Sequence, residues 1–431
     1  MMAGLIRPMA TPAPVAVIRH RRARPGPWLT ALGVALALTG CGARWPLPVM
    51  LFLGMGMGSD ESLSPELLQE IRTGFDELER GYRKVNSSTR IRLNLYREDQ
   101  IIGAIRERTR AGLAPDLLLV NADTAHNLLR EGLIDPFPAT RRQEESFDPD
   151  ELRRLRTRQG GLVGLPLFVR TQLACYNRDR ITRAPETVNE LLEVSAAGRP
   201  IGLPTNLFNI FWSAGSQGAV PGINRAGDGR EPSRAERAAI TRWLAWLQNA
   251  NEQQRVLFYD NQEAAESQLV KGNLDWIPCR SIRIPALAKA MGARFAVAPL
   301  PGGEAGEQPS PINRLRVLAL GRNSSRAGRE RALAFSRFAI NPMTQRSLTL
   351  GSMTILPANQ RVRVPVLSSA VLTAMVVANE QGRNTNEMLS ALSSGDRRIP
   401  ALQATLNQLV FGELSPPIAS DKVITILRRR P

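Results

Sequence analysis

The sequence predicts an α/β protein built as two lobes. Three observations carry this. The chain has 431 residues, too many for one ordinary core and suited to two. From residue 46 onward, short apolar runs alternate with amphipathic stretches in βαβαβα order. Apolar residues make up 43% and charged residues 22%, which suits packed cores and excludes a disordered or collagen-like chain. No stretch of ~18 clean apolar residues occurs beyond residue 60, which excludes a multispanning membrane protein.

The elements follow in order. Pro46–Gly54 reads as a buried first strand. Leu63, Leu67, Leu68, Ile71, Phe75, Leu78 and Tyr82, spaced three or four apart, predict an amphipathic helix over 63–84, with Ser64 and Pro65 as N-cap and N1. Ile91, Leu93 and Leu95 alternate as a strand, 101–110 is a helix, Asp116–Val120 a buried strand, and helix 124–131 stops at Gly132. Strands Leu162–Leu165 and Gln172–Tyr176 open the middle of the chain. Helix 187–194, strand 200–203, helix 233–250, helix 263–270 and strand 274–277 follow. Trp243 and Trp246 share a helix face with Ile240, Leu244 and Leu247 and read as core. Residues 301–311, rich in Pro and Gly, are a loop. Strand 317–320, helix 327–340 and a mostly helical C-terminus complete the chain.

Composition narrows the chemistry. The net charge is +17, and 52 of the 56 basic residues are arginine. The arginines are interleaved with Asp and Glu, without basic runs that alternate with aromatics, so nucleic acid is not the expected partner. Only His20 and His126 occur, which excludes multi-His metal sites and leaves His126 alone for any Ser-His-Asp triad. Cys41, Cys175 and Cys279 lack CxxC spacing. No enzyme constellation, metal or cofactor is expected.

The N-terminus reads as an export leader. Five arginines and no acid precede or enter the apolar stretch Trp28–Gly40, which is short for a membrane span. Leu38-Thr39-Gly40-Cys41 resembles the lipobox of bacterial lipoproteins, in which the cysteine is lipidated and becomes the new N-terminus. A plain signal peptide or an uncleaved anchor with a chance cysteine is the other reading. Removal of residues 1–40 leaves a charge of +12.

Several segments, taken in order, resemble the extracellular solute-binding proteins of ABC importers, in particular the sugar-binding, maltose-binding-like group. They are Ala111-Gly-Leu-Ala-Pro-Asp116, Gly132-Leu-Ile-Asp-Pro136, Gly161-Leu-Val-Gly-Leu-Pro166, Tyr176-Asn177-Arg-Asp179, Pro185-Glu-Thr187 with Leu191-Leu192, and Pro299-Leu-Pro-Gly-Gly303. The stretch from Phe335 to Pro357 with Asn341-Pro342, Gln345 and Gly351 completes the set. Tyr176-Asn177, Asp116 and Pro185 also have plain scaffold roles as turn, brace and helix start.

The resemblance implies a periplasmic-binding-protein-like fold with a multi-strand hinge and an interlobe cleft. It implies residues 41–165 plus 311–348 for lobe one and 166–310 plus 349–431 for lobe two. It further implies a monomer that is lipid-anchored on the extracytoplasmic or periplasmic face of a bacterial membrane. That protein delivers a small solute (sugar, polyol or glycoside, neutral or acidic) to ABC permease subunits. The alternative is the same fold used as an envelope sensor or interaction protein without transport.

Loops after strands place the ligand site. Met55–Gly58 follows the first strand; Asn121, Ala122 and Asp123 follow the strand that ends at Val120. Asp123 suits sugar hydroxyls or the N-cap of helix 124–131. Arg170 is a cleft residue or a surface arginine. Asn206, Phe208, Asn209 and Trp212 follow strand 200–203, where Phe208 or Trp212 stacks on a sugar face or packs in the core. Asp123 is expected to face Trp212 or Phe208 across the cleft. Where the family carries a Gly-Pro-Trp platform this chain reads Pro278-Cys279-Arg280, so Cys279 is expected as a reactive free thiol near the ligand and Arg280 as a ligand contact. Nothing in the sequence brings Cys175 and Cys279 together, and no disulfide between them is expected.

Overall fold

The computed structural model describes residues 49–58, 65–383 and 396–429. The predicted leader, Cys41 and residues 46–48 of the predicted first strand lie outside them. The strands, in chain order, are β1 (Val49–Met57), β2 (Thr89–Arg97), β3 (Leu117–Asn121), β4 (Ile134–Asp135), β5 (Leu165–Arg170), β6 (Gln172–Asn177), β7 (Ile201–Pro204), β8 (Val256–Tyr259), β9 (Trp276–Arg280), β10 (Phe295–Ala298), β11 (Arg314–Gly321) and β12 (Leu356–Pro357).

Lobe one is built on a sheet in the order β12-β5-β11-β3-β1-β2, with β4 added to β11. Strands β1, β2 and β3 are parallel, and β11 runs antiparallel between β3 and β5. Parallel neighbours need crossovers, which helices Pro65–Val85 and Ile101–Arg110 supply. The first helix buries Ile71, Phe75, Leu78 and Tyr82 at the three- and four-residue spacing of the sequence. The Tyr82 ring meets Phe335 edge-on at 5.2 Å. Asp116 braces the sheet: its carboxylate accepts from the Phe52 N–H at 3.0 Å and the Ser324 hydroxyl at 2.6 Å. Gly132, at φ +68°, supplies the left-handed residue that ends helix Ala122–Arg130.

Lobe two has the sheet order β10-β6-β9-β7-β8. One face packs Trp212, Trp243 and Trp276 against the C-terminal helices Arg398–Val410 and Pro416–Arg428. The other packs helix Ala370–Gln381 through Leu372 and Met375.

Several expectations are corrected here. Strand β1 continues to Met57, so most of the loop expected at 55–58 is strand. Strand β5 belongs to the first sheet as far as Arg170, so the chain crosses to lobe two at Thr171 rather than at 165–166. Strand β12 also pairs β5 in the first sheet, and Gln360 bonds to Ser146 and Phe147, so the chain still packs on the first sheet's lobe past the expected boundary at 348. Strand β5 runs on to Arg170 without a turn, so the sequence carries no local signal of where the chain leaves the first sheet.

Cys175 and Cys279 form a disulfide, which overturns the expected free thiols. Strand β9 extends to Arg280, so Cys279 is a strand residue and not a cleft-loop residue. The antiparallel register pairs Leu173 with Cys279 and Cys175 with Ile277. The two cysteines are thus diagonal neighbours with Cα atoms 5.7 Å apart, within bridging range. Both are buried and bonded to each other, so Cys279 is not the reactive free thiol expected near the ligand.

Candidate functional site

The parallel strands β1, β2 and β3 end on one edge of lobe one, where a buried polar cluster closes them. Arg316, 1% exposed, donates to Glu98 Oε2 and Asn121 Oδ1, each at 2.9 Å, to the Leu119 carbonyl at 2.8 Å and to the Gly56 carbonyl. Glu98 in turn accepts the Asn121 N–H at 2.7 Å. Gly56 makes room for this arrangement, because a Cβ there would strike the Glu98 carboxylate. A buried charge pair is stabilised by further hydrogen bonds; here both Nη atoms of Arg316 donate to four carbonyl or carboxylate oxygens and one backbone N–H donates to Glu98, while Arg316 Nε is buried without a partner among the described residues.

Asn121 caps helix Ala122–Arg130 by its backbone, and the strand passes into the helix without the loop expected at 121–123. Asp123 stands in the first turn, half-buried. Burial holds its carboxyl above the usual aspartate range; the Arg314 guanidinium draws it down and Glu98 pushes it up. The sequence assigned no role to Arg314.

In lobe two, β7 and β8 are parallel and also end on one edge. Asn206 and Asn261 follow them as N-caps, accepting from the Phe208 N–H at 3.0 Å and the Ala264 N–H at 2.9 Å. Gln403 holds the first loop from behind: its amide donates to the Thr205 carbonyl and its oxygen accepts from Leu207 N–H, both at 2.8 Å. A cavity of about 310 Å³ lies at this edge, lined by Asn206, Phe208, Asn209, Asn261, Gln262, Glu263 and Arg314. Arg314, from the first sheet, closes it from the side of lobe one, with its guanidinium carbon 5.9 Å from the Phe208 ring centroid. Arg97, at the end of β2, is held strongly cationic by Asp99 and, more weakly, by Glu263 of lobe two.

The hinge is a network of buried amides and hydroxyls. The Gln172 amide donates to the Asn209 carbonyl at 2.7 Å, and its oxygen accepts from Ile312 N–H at 3.1 Å. The Gln172 N–H donates to Asn313 Oδ1 at 3.3 Å, and Asn313 Nδ2 donates to the Ala378 carbonyl at 2.8 Å. Ser281 accepts the Thr171 N–H at 3.2 Å and donates to the Thr354 carbonyl at 2.6 Å. All the crossing segments are therefore tied together.

The structure sorts the predicted residues. Asn206, Phe208 and Asn209 line the cavity, and Asp123 is electrostatically coupled to it through Arg314. Arg170 lies opposite Arg314 across β5 and β11. Asn121 is 3% exposed and its side-chain oxygen is engaged by Arg316. Arg280 is buried and donates to the Ile312 carbonyl at 3.0 Å and Asn209 Oδ1 at 2.9 Å, so it holds Asn209 in place. Trp212 is corrected: it is 0% exposed and packs between Trp246 and Trp276, so no ligand reaches it and it does not face Asp123. One helical turn separates the half-buried Phe208 from that core ring, and aromatic character alone does not distinguish them. Sequence reasoning missed Arg314, Glu263, Gln172 and Asn313; their isolated positions carry no motif, and chain crossing alone brings them to the cleft. His126, the one described histidine, donates to the Arg154 carbonyl at 2.8 Å.

Two α/β lobes joined by crossing strands, with a polar cavity where parallel strands end, define a periplasmic-binding-protein-like solute-binding fold. The chain belongs to the bacterial extracellular solute-binding protein family, whose profile matches residues 82–373. Its members are binding proteins that act outside the cytoplasm, not enzymes. The curated maltodextrin-binding protein MdxE of Bacillus subtilis is 34% identical over 82 residues, which span 19% of this chain and 19% of that protein. Among solved structures, the GacH receptor of Streptomyces glaucescens, described unliganded and with acarbose, matches 88% of this chain and 100% of its own. Its TM-score is 0.71 at 14% identity. Maltodextrin-binding protein MalE1 of L. casei BL23 matches 88% of this chain and 99% of its own, with a TM-score of 0.68 at 15% identity. These structural likenesses concern the fold.

Proposed function

We propose that the protein is a lipid-anchored receptor that captures a small sugar, polyol or glycoside and delivers it to an ABC importer. The observation that supports this most is the cavity at the carboxyl ends of β7 and β8, walled by amides of one lobe and an arginine of the other. Amides and carboxylates offer the paired donors and acceptors that vicinal hydroxyls need, and a volume near 300 Å³ suits a small ligand. Asn206, Phe208 and Asn209 contact the solute from lobe two. Asp123 and Arg170 meet it from the hinge side, with Asn121 and Arg280 holding the site behind them. Closure about the Thr171 and Asn313 crossings presents the closed form to the permease. The fold similarity to acarbose- and maltodextrin-binding proteins agrees with a saccharide ligand.

Cys41, behind a basic leader, carries the anchor: Cys41→Ser should move the protein from the membrane fraction to the soluble fraction. A thermal-shift screen over sugars, polyols and glycosides tests the binding role. A ligand at 100 times its Kd stabilises the folded form by about 2.7 kcal/mol. A screen in which only amino acids or peptides shift the melting temperature rejects the saccharide reading.

A further inference from the structure

The end of lobe one opposite the cleft, where β1, β2 and β3 begin, gathers exposed apolar side chains among cations. Strand β2 pairs β1 from Val49 onward, but β3 joins β1 only at Leu53, so the first four residues of β1 project beyond it. Phe52 is the register partner of Arg92, and Met50 of Arg90, which puts all four on one sheet face. At Gly54 that face is closed by Tyr96 and Pro115; at Phe52 it lies open. The loop 111–116 is tied beside it, since the Asp116 N–H donates to the Phe52 carbonyl at 2.9 Å. Phe52 is 42% exposed, Leu113 in that loop 65%, and Val85 at the end of helix Pro65–Val85 71%. Val85 belongs to the same end, because the Val49 N–H donates to the Ser88 carbonyl at 3.0 Å. A single exposed apolar residue is ordinary, but several at one end of a lobe mark a contact surface. Arg83 and Lys84 in the last turn of the first helix, Arg110 in the last turn of the second, and Arg92 are all exposed, and none meets a carboxylate among the described residues. Of the acids nearest in sequence, Glu79 is engaged by the Ile91 N–H at 3.2 Å, and Glu107 is exposed on the second helix.

We infer that this end of lobe one is a membrane-docking surface for anionic phospholipid headgroups, with Phe52, Leu113 and Val85 entering the interface between the cations. The inference rests on the lipid-anchored reading above and adds an orientation to it. Cys41 precedes Val49, the first residue of β1, by eight positions. Eight residues span at most ~28 Å, so a lipid on Cys41 holds this end of the lobe close to the bilayer. There the long cationic side chains reach headgroup phosphates while the apolar ones sit at the acyl boundary, and each cation adds attraction to an anionic surface. The carboxyl ends of β1, β2 and β3 lie at the far end of the same strands. Docking therefore turns the cleft edge of lobe one away from the lipid, toward the side from which solute arrives.

The experiment is co-sedimentation of the mature chain from residue 41, carrying Cys41→Ser so that no lipid is attached, with vesicles of phosphatidylcholine alone or mixed with phosphatidylglycerol. Binding to the mixed vesicles should be roughly tenfold or more tighter, and the preference should shrink steeply with added salt. Arg83→Glu, Lys84→Glu and Arg92→Glu together should abolish it. The same charge change at exposed arginines of lobe two, Arg178→Glu, Arg234→Glu and Arg255→Glu, should leave most of it. A polarity-sensitive dye on Leu113→Cys should shift to the blue with the mixed vesicles and not with phosphatidylcholine. Equal binding to both vesicles, binding to neither, or equal losses from the two charge reversals overturns the docking surface; equal losses would show attraction by net charge alone. A dye already blue-shifted without vesicles also overturns it, because residues 42–48 or a second copy then cover the face. The dye reports on a surface with its cations intact, so a triple variant that fails to fold leaves the test decisive. The anchor is tested apart: if the Cys41 protein stays on membranes washed in high salt and the Cys41→Ser protein does not, the anchor stands whatever the vesicles show.

Discussion

The two lobes solve the same problem with different materials. Each places the carboxyl ends of parallel strands toward the cleft, but lobe one closes that edge with a buried charge cluster around Arg316. Lobe two backs it with a tryptophan-rich core and a disulfide between β6 and β9. In lobe one the strand ends are held by electrostatics in a dry environment, so stability there depends on complete pairing. In lobe two they are held by apolar area and a covalent link, which tolerate the loss of a single polar contact better. A two-lobed binder needs rigid jaws and a compliant hinge, and either kind of backing gives a rigid jaw.

The largest expected effect breaks lobe one. Glu98→Gln leaves Arg316 buried against an uncharged partner and should cost about 3–5 kcal/mol in urea unfolding. Replacing both, Glu98→Leu with Arg316→Met, should recover part of that loss. A double variant as unstable as the single one would show that the charge pair is not what holds the edge.

Next comes the disulfide of lobe two. Cys175→Ala with Cys279→Ala removes a link across 104 residues of sequence and should cost about 2–4 kcal/mol. Its complement is chemical: unreduced, denatured protein with Cys41 replaced should take up no maleimide. Two labelled thiols under those conditions would reject the bridge.

A smaller, pH-dependent effect sits in lobe one near the chain that returns from lobe two. Glu151 stands in the first turn of helix Pro149–Leu155, and burial, then the neighbouring Asp148, push its pKa up to about 7, against the pull of Arg154 and Arg383. Arg154 donates to the Arg383 carbonyl at 2.7 Å, and Arg383 pairs with Asp148 at 3.8 Å. Because the folded pKa exceeds the unfolded one, the folded state holds more protons between about pH 4.5 and 7, and stability falls as pH rises through that window. Glu151→Gln should therefore stabilise the protein at pH 8, by about 1–3 kcal/mol, and the advantage should be small at pH 5. Parallel stability curves for variant and wild type from pH 5 to 8 would contradict this.

The smallest effects compare helix starts. Ser233 and Glu236 make a reciprocal capping box on the long helix Arg234–Glu252 of lobe two, while Thr140 and Gln143 make one on the four-residue helix Arg141–Glu144 of lobe one. Ser233→Ala should cost about 1 kcal/mol. Thr140→Ala should cost less, since a single exposed turn has little cooperative structure to lose. A larger loss at Thr140 would mean that this turn is more tightly coupled to lobe one than its burial indicates.

What local sequence determines is plain in the elements themselves. Helix Pro65–Val85 follows from its spaced apolar residues, β3 from its unbroken apolar run, the stop at Gly132 from the need for a left-handed residue, and the core role of Trp243 and Trp246 from their helical face. The ordered turns and strands sufficed to expect two lobes and the family resemblance. Tertiary structure decided the rest. Cys175 and Cys279 meet only through the register of β6 and β9, and Trp212 and Phe208 part company only when helix Trp212–Ser216 packs on the tryptophan core. Arg314 becomes a wall of the cavity only because β11 threads between β3 and β5. Periodicity is a property of neighbours along the chain, so the chain alone can display it. A site assembled from residues far apart in sequence depends on strand order and register, which a local pattern constrains but does not contain.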